Sequence, residues 1–324
     1  MTIKRYVKRD DVVNFPNTTA KIGGFFRLQV KNGETGNITQ DTGWFQNVIT
    51  DYGMDLFGVG TPTGVGFGPI PWSCCVGTGT ATPAFSDTTL QSPLVISSPA
   101  SPTSASYVAG PPAYNFSTIA WAYPLGSVIG NISEVGAGTF IVNPFILANF
   151  RCFSRQLILD SMGNPTTIAV TSSDQLNVSY QLRLYFDLTD STTSINISGT
   201  TYGGTIRRAL TGLSRAGVMG ITTDTPGWGF TTCSICLGSL GTTSSSPGGY
   251  HLPYDTATFG TYTPGSFTNT VILHWNTSIA NYAIISGFFG CDCLGYWQFE
   301  LLPGFAKTSS NTLAINFSFA WARY

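Results

Sequence analysis

Residues 153–186 read FSRQLILDSMGNPTTIAVTSSDQLNVSYQLRLYF. Phe153–Leu159 has the apolar content of a strand. Asp160-Ser161-Met162-Gly163-Asn164-Pro165 is a turn, because Gly and Asn tolerate positive φ and Pro fixes the exit. Thr166–Val170 returns. Leu176, Val178, Tyr180, Leu182 and Leu184 then alternate with Asn177, Ser179, Gln181 and Arg183. A period of two is the signature of a strand with one buried face.

The same pattern extends outward in both directions. Lys21–Lys31 (KIGGFFRLQVK) places Phe26, Leu28 and Val30 on one face. Leu313, Ile315, Phe317, Phe319 and Trp321 alternate within Thr312–Trp321, which ties the C-terminus into a sheet. Thr192–Ile197 and Thr201–Ile206 form a hairpin turned at Ser198-Gly199. Val271–Trp275, Tyr282–Ile285 and Tyr296–Leu302 complete the strand set. Trp44–Phe57 is the best helix candidate, since Phe45, Val48, Ile49 and Tyr52 fall at i, i+3, i+4, i+7. Gly53 interrupts that pattern. Residues 58–116 read as loops carrying two or three short strands. Residues 237–267 lack periodicity and read as a long loop or arm. Many short strands with Gly/Pro turns predict an all-β, mainly antiparallel fold. It is β-sandwich or jelly-roll-like, with long loops and at most one or two short helices. The expected organisation is a basic N-terminal arm (1–20) and a structural domain (21–324), with a subdivision near 190.

Composition narrows the function classes. Of 324 residues only 10% are charged, against roughly a quarter in an ordinary soluble protein. The net charge is −1, which excludes a basic coat for nucleic acid. Lys and Arg are absent from 32 to 150 and again from 216 to 306, and no charged residue lies between Asp87 and Glu134. Long uncharged stretches point to surfaces covered by copies of the same chain or by a neighbour. No apolar region follows the N-terminal basic residues and no run approaches 18 apolar residues, so neither a signal peptide nor a membrane-spanning helix is expected. Eight N-x-S/T sequons are attributed to chance in a chain rich in Asn, Ser and Thr. Seven Cys, without a secretory signal, are expected as free thiols.

Little material for catalysis is present. The two His are His251, in a loop, and His274, in a strand, and no G-x-S-x-G elbow accompanies them. Cys233, Cys236, Cys291 and Cys293 could offer four thiolates to zinc, but C-x-C is a poor match to a zinc knuckle and buried thiols are expected instead. Cys74 and Cys75, adjacent on a strand, should point apart. Glu134 stands at the end of the charge-free run among Gly130, Gly136 and Gly138. It is expected to cap backbone amides rather than act as an acid. Glu300 belongs to a solvent-facing strand position, and Asp10-Asp11 to a solvated arm. No phosphate-binding loop exists. Trp228, Tyr250, Tyr254 and Tyr262 lie in loops and are the candidates for glycan or partner contact. Lys4, Arg5, Lys8 and Arg9 are the candidates for docking on an acidic partner.

Three segments, TGWFQNVITDYGMDLFG (42–58), NISEVGAG (131–138) with 153–186, and WQFELLPGFAKTSSNTLAINFSFAWARY (297–324), together resemble virion structural proteins of tailed bacteriophages, of the tail or tail-fibre type. The resemblance implies a β-rich, non-enzymatic particle component without cofactors, made in the host cytoplasm and located in the virion. The expected function is a tail or tail-appendage subunit that assembles as a homo-oligomer and docks on other virion proteins, without nucleic acid or membrane insertion. The alternatives are a host-receptor or glycan-binding adhesin and a neck or head-decoration protein.

Overall fold

The computed structural model describes residues 12–15, 18–58, 73–97, 101–140, 147–185, 187–197, 199–209, 232–242, 252–282, 284–292 and 295–324. The first strands are β1 (Val12–Asn14), β2 (Thr18–Asn32), β3 (Ile38–Asp41) and β4 (Phe45–Ile49), followed by helix α1 (Asp51–Asp55). Next come β5 (Ser73–Gly77), β6 (Pro93–Ser97), β7 (Ser101–Val108) and β8 (Tyr114–Ala122). The middle of the chain gives β9 (Gly130–Ile132), β10 (Glu134–Phe140), β11 (Phe150–Leu157), β12 (Ile168–Val170) and β13 (Asp174–Tyr185). Then follow β14 (Ser191–Ile197), β15 (Thr200–Ala209), β16 (Thr232–Cys236), β17 (Leu252–Pro253) and β18 (Thr256–Phe259). The last are β19 (Thr268–Trp275), β20 (Ile285–Asp292), β21 (Gly295–Phe305) and β22 (Leu313–Arg323). The fold is all-β, and among the described residues its pairings are antiparallel except where β22 receives β1 and β2 in parallel.

β2 organises the molecule. One edge pairs with β13 along its length, from Lys21↔Tyr185 to Asn32↔Asp174. The other edge changes partner: Thr18–Ile22 pairs with β22, Gly24–Phe26 with β4, and Gln29–Lys31 with β3. The sheet therefore forks at Gly23-Gly24. A side chain at Gly24 would collide with the Asn47 amide at 2.4 Å and the Tyr180 hydroxyl at 2.5 Å, so the fork needs glycine.

On one branch, β13 and β8 face the leaf β4-β11-β10-β5-β6. Tyr180 packs on Phe26 (ring centroids 5.0 Å apart) and edge-on to Phe153 (6.3 Å), and the Tyr123 hydroxyl donates to the Cys74 carbonyl at 2.7 Å. On the other branch, the six-stranded sheet β14-β15-β21-β20-β16-β17 packs on β22 and β19. Phe15 fills that junction, touching Phe288, Trp297, Phe299 and Phe317. One apolar core runs through both branches. Its driving force is the removal of apolar area from water, at about 25 cal/mol per Å².

Several expectations need correction. Residues 44–57 are not a helix: Phe45–Ile49 is strand β4 and only Asp51–Asp55 is helical. Phe45, Asn47 and Ile49 are the buried residues of β4, and the polar Asn47 hid the period of two. Residues 237–267 do not form one long loop or arm, because β17 and β18 lie within them and β18 pairs with β19. Tyr282 precedes its strand, which starts at Ile285. Val12–Phe15 and Thr18–Ala20, placed in the arm, are part of the sheet and core. Residues 1–11 lie outside the described residues.

Candidate functional site

Glu134 is fully buried on β10, as is Arg155 on the neighbouring β11. The Glu134 carboxylate accepts from the backbone N–H groups of Gly79 (3.0 Å), Ser92 (2.7 Å) and Gln91 (3.1 Å), and from Arg155 Nη2 (2.9 Å). Arg155 Nη1 donates to Asp87 Oδ2 at 2.8 Å, and Nη2 also donates to the Ala81 carbonyl at 3.2 Å. Glu134 thus holds backbone amides, as the sequence led one to expect, and does so from the start of β10. The set pins segment 78–92 across the outer face of β5, β10 and β11, covering a small second core of Cys75, Leu90, Phe150 and Cys152. Both carboxylates and both terminal nitrogens of Arg155 are engaged with protein partners, which suits a clamp, while Arg155 Nε is buried without a hydrogen-bond partner among the described residues.

Cys74, Cys75, Cys152 and Cys236 are free, buried thiols. Cys74 sits in the main core and Cys75 in the second one, so the two side chains do point apart. Burial pushes the Cys74 and Cys236 thiols up to about 12 and raises Cys75 and Cys152 as well. Cys233 and Cys236 stand opposite Gly290 and Gly287, Cys291 stands opposite Thr232, and Cys293 lies outside the described residues. Among the described residues no group of three metal-ligating side chains occurs. His274 is half-buried on β19, and His251 lies outside the described residues.

Of the four loop aromatics, Trp228 and Tyr250 lie outside the described residues. Tyr254 packs against the main core. Tyr262 donates to Asp55 Oδ1 at 2.6 Å and stacks on Trp321 at 5.8 Å, so it serves the fold. Lys4, Arg5, Lys8 and Arg9 also lie outside the described residues.

A different set of aromatics is brought together at the fork. A cleft of about 860 Å³ opens where β2 begins and β22 and β13 end, with the turn between β7 and β8 as its far wall. Tyr185 and Tyr324 line it with their rings stacked, centroids 3.6 Å apart and planes 8° from parallel. Tyr114 lies 5.1 Å from Tyr185. The Arg183 guanidinium sits 4.8 Å from the Tyr114 ring centre and 3.7 Å from that of Phe25. Lys21 and Asp187, both exposed, bring one charge of each sign to the cleft. Asp187 accepts from the Thr189 backbone N–H at 2.8 Å, a bond that holds its carboxyl below the usual range.

Sequence reasoning missed this cleft because its parts come from residues 19–21, 109–113, 185–189 and 320–324. The available signal was the polar series of β13, Asn177, Ser179 and Gln181, which Arg183 and Tyr185 break. No family model, no curated protein and no solved structure matches this chain.

Proposed function

We propose that this chain is a structural subunit of a tailed-bacteriophage virion, of the tail or tail-appendage type, working as a homo-oligomer docked on other virion proteins. Its work is assembly, without catalysis or a cofactor. The observation that supports this reading lies at the end of the sheet where β2 finishes. Leu125 and Ile129, both within the charge-free run, are 58% and 57% exposed, and Ile38 on β3 is 55% exposed. Leu125 lies against Gly33, Ile38 pairs with Lys31, and Ile129 leads into β9, so all three share that end. Exposed apolar side chains grouped at one end of a sheet mark a contact with another protein.

Leu125→Lys with Ile129→Lys tests the reading. Each buried aliphatic side chain contributes about 1.5–3 kcal/mol, so the double variant should weaken self-association at least about a hundredfold. Its melting temperature in the dilute, dissociated state should stay within a few degrees of the parent, because both side chains are exposed in the single chain. Sedimentation velocity over a dilution series reads the outcome. Equal association constants for parent and variant would remove this end as the contact. Immunolabelling of intact particles then locates the subunit, with label on the tail or its appendages as the expected result.

A further inference from the structure

We infer that the cleft between Lys21, Tyr185, Asp187 and Tyr324 is a saccharide-binding site. The inference stands apart from the assembly reading, since the cleft is at the opposite end of β2 from Leu125. Twelve residue steps separate Lys21 from Gly33, just past the end of β2, roughly 40 Å at 3.3 Å per residue.

An open cleft of about 860 Å³ lies in the size range of small-ligand sites. Its wall at Ala109, Gly110 and Pro111-Pro112 carries no long side chain, so the space is not filled from that side. Opposite it lies the stacked pair Tyr185 and Tyr324. Tyr185 is buried, whereas Tyr324 is 48% exposed. Tyr324 is also fixed in place: its backbone N–H donates to the Ile22 carbonyl at 2.9 Å, and its carbonyl accepts from Gln46 Nε2 at 3.0 Å. A flat, immobilised, half-exposed aromatic ring is a surface for the C–H face of a pyranose, with little ordering cost on binding.

The polar groups decide the ligand class. Neither Lys21 nor Asp187 takes part in an ion pair among the described residues. An ionised carboxylate accepts from two neighbouring hydroxyls, and an ammonium donates to hydroxyl or ring oxygens. Thr19 adds a hydroxyl that can do both, and the Thr189 hydroxyl, which donates to Asp187, can still accept. A polyphosphate or nucleic acid would need several cations, and here a single lysine is offset by an acid. A hydrocarbon would need an enclosed, uncharged pocket. A polyhydroxylated ring with one apolar face satisfies both the aromatic wall and the mixed polar rim.

The test is saturation-transfer difference NMR on the full chain with maltotetraose, cellotetraose, chitotetraose and β-1,4-galactotetraose, followed by calorimetric titration. At least one tetrasaccharide should bind, with the strongest transfer at ring C–H protons. Tyr324→Ala and Asp187→Asn should each weaken it tenfold or more, and Tyr324→Phe should keep it within about twofold. Asp187 is exposed, so Asp187→Asn remains informative should Tyr324→Ala fail to fold. Absence of binding across all four sugars, or affinity unchanged in both weakening variants, would overturn the assignment. The sugar signal and the subunit mass are read separately, so either proposal can fail alone.

Discussion

Arg155→Met is expected to cost about 3–5 kcal/mol of folding free energy, the usual penalty for removing one partner of a buried ion pair. Arg155 is 3% exposed and Glu134 is completely enclosed. In the variant the Glu134 carboxylate keeps three backbone donors but loses its counter-charge, and Asp87 loses its partner as well. Methionine fills similar volume, so the loss reports charge and hydrogen bonding more than a cavity. The damage should centre on segment 78–92, which Arg155 grips through Ala81 and Asp87. Urea denaturation gives the magnitude, and hydrogen exchange should show the amides of Gly79, Gln91 and Ser92 losing protection first. A loss below about 1 kcal/mol would mean that the clamp is dispensable.

Gly53→Ala should destabilise by about 2 kcal/mol, with the sign opposite to that expected in an exposed helix. In an open helix interior alanine is better than glycine by nearly 1 kcal/mol. Here an added Cβ would stand 2.2 Å from the Phe153 carbonyl oxygen, which is backbone and cannot swing aside, and 3.0 Å from Ile49 Cγ2. The helix is bolted down at that point. Thr50 N–H donates to the same Phe153 oxygen at 3.0 Å, Thr50 Oγ1 donates to the Cys152 carbonyl at 2.7 Å, and Gly53 N–H donates to Thr50 Oγ1 at 3.0 Å. Accommodating the methyl means lifting α1 off β11, a strain of about 1–3 kcal/mol that exceeds the propensity gain. Thermal melts monitored by circular dichroism decide it, and a raised melting temperature would show that the close approach is wrong.

Gly53 also shows where the sequence was readable and where it was not. Its presence at a helical position was a visible anomaly, but the cause, a strand carbonyl 100 residues later in the chain, was not. β2, β13 and β22 were legible because burial along most of each strand follows the alternation of side-chain type, with Gln181 and Tyr185 as buried exceptions on β13. β4 was misread because its inward series, Phe45, Asn47 and Ile49, includes an amide, while Val48 and Tyr52 happened to supply helical spacing. β18 was hidden by the Gly, Pro and Thr around it. Glu134 stood out as a lone acid after 46 uncharged residues, and an amide-holding role followed from the need to satisfy it. Arg155 carried no such mark, since it reads as an ordinary strand residue until β10 and β11 pair. The cleft at Tyr324 has no local signature, because four chain segments create it only once β2 has recruited β13 on one edge and β22 on the other.

The most direct test is the absolute mass of the purified full chain by multi-angle light scattering at micromolar concentration. A discrete multiple of 34.6 kDa, falling to one chain when Leu125 and Ile129 carry lysine, is the expected result. A particle of 34.6 kDa at every concentration, in parent and variant alike, would contradict the claim that the end of this fold bearing Leu125 and Ile129 is built to be covered.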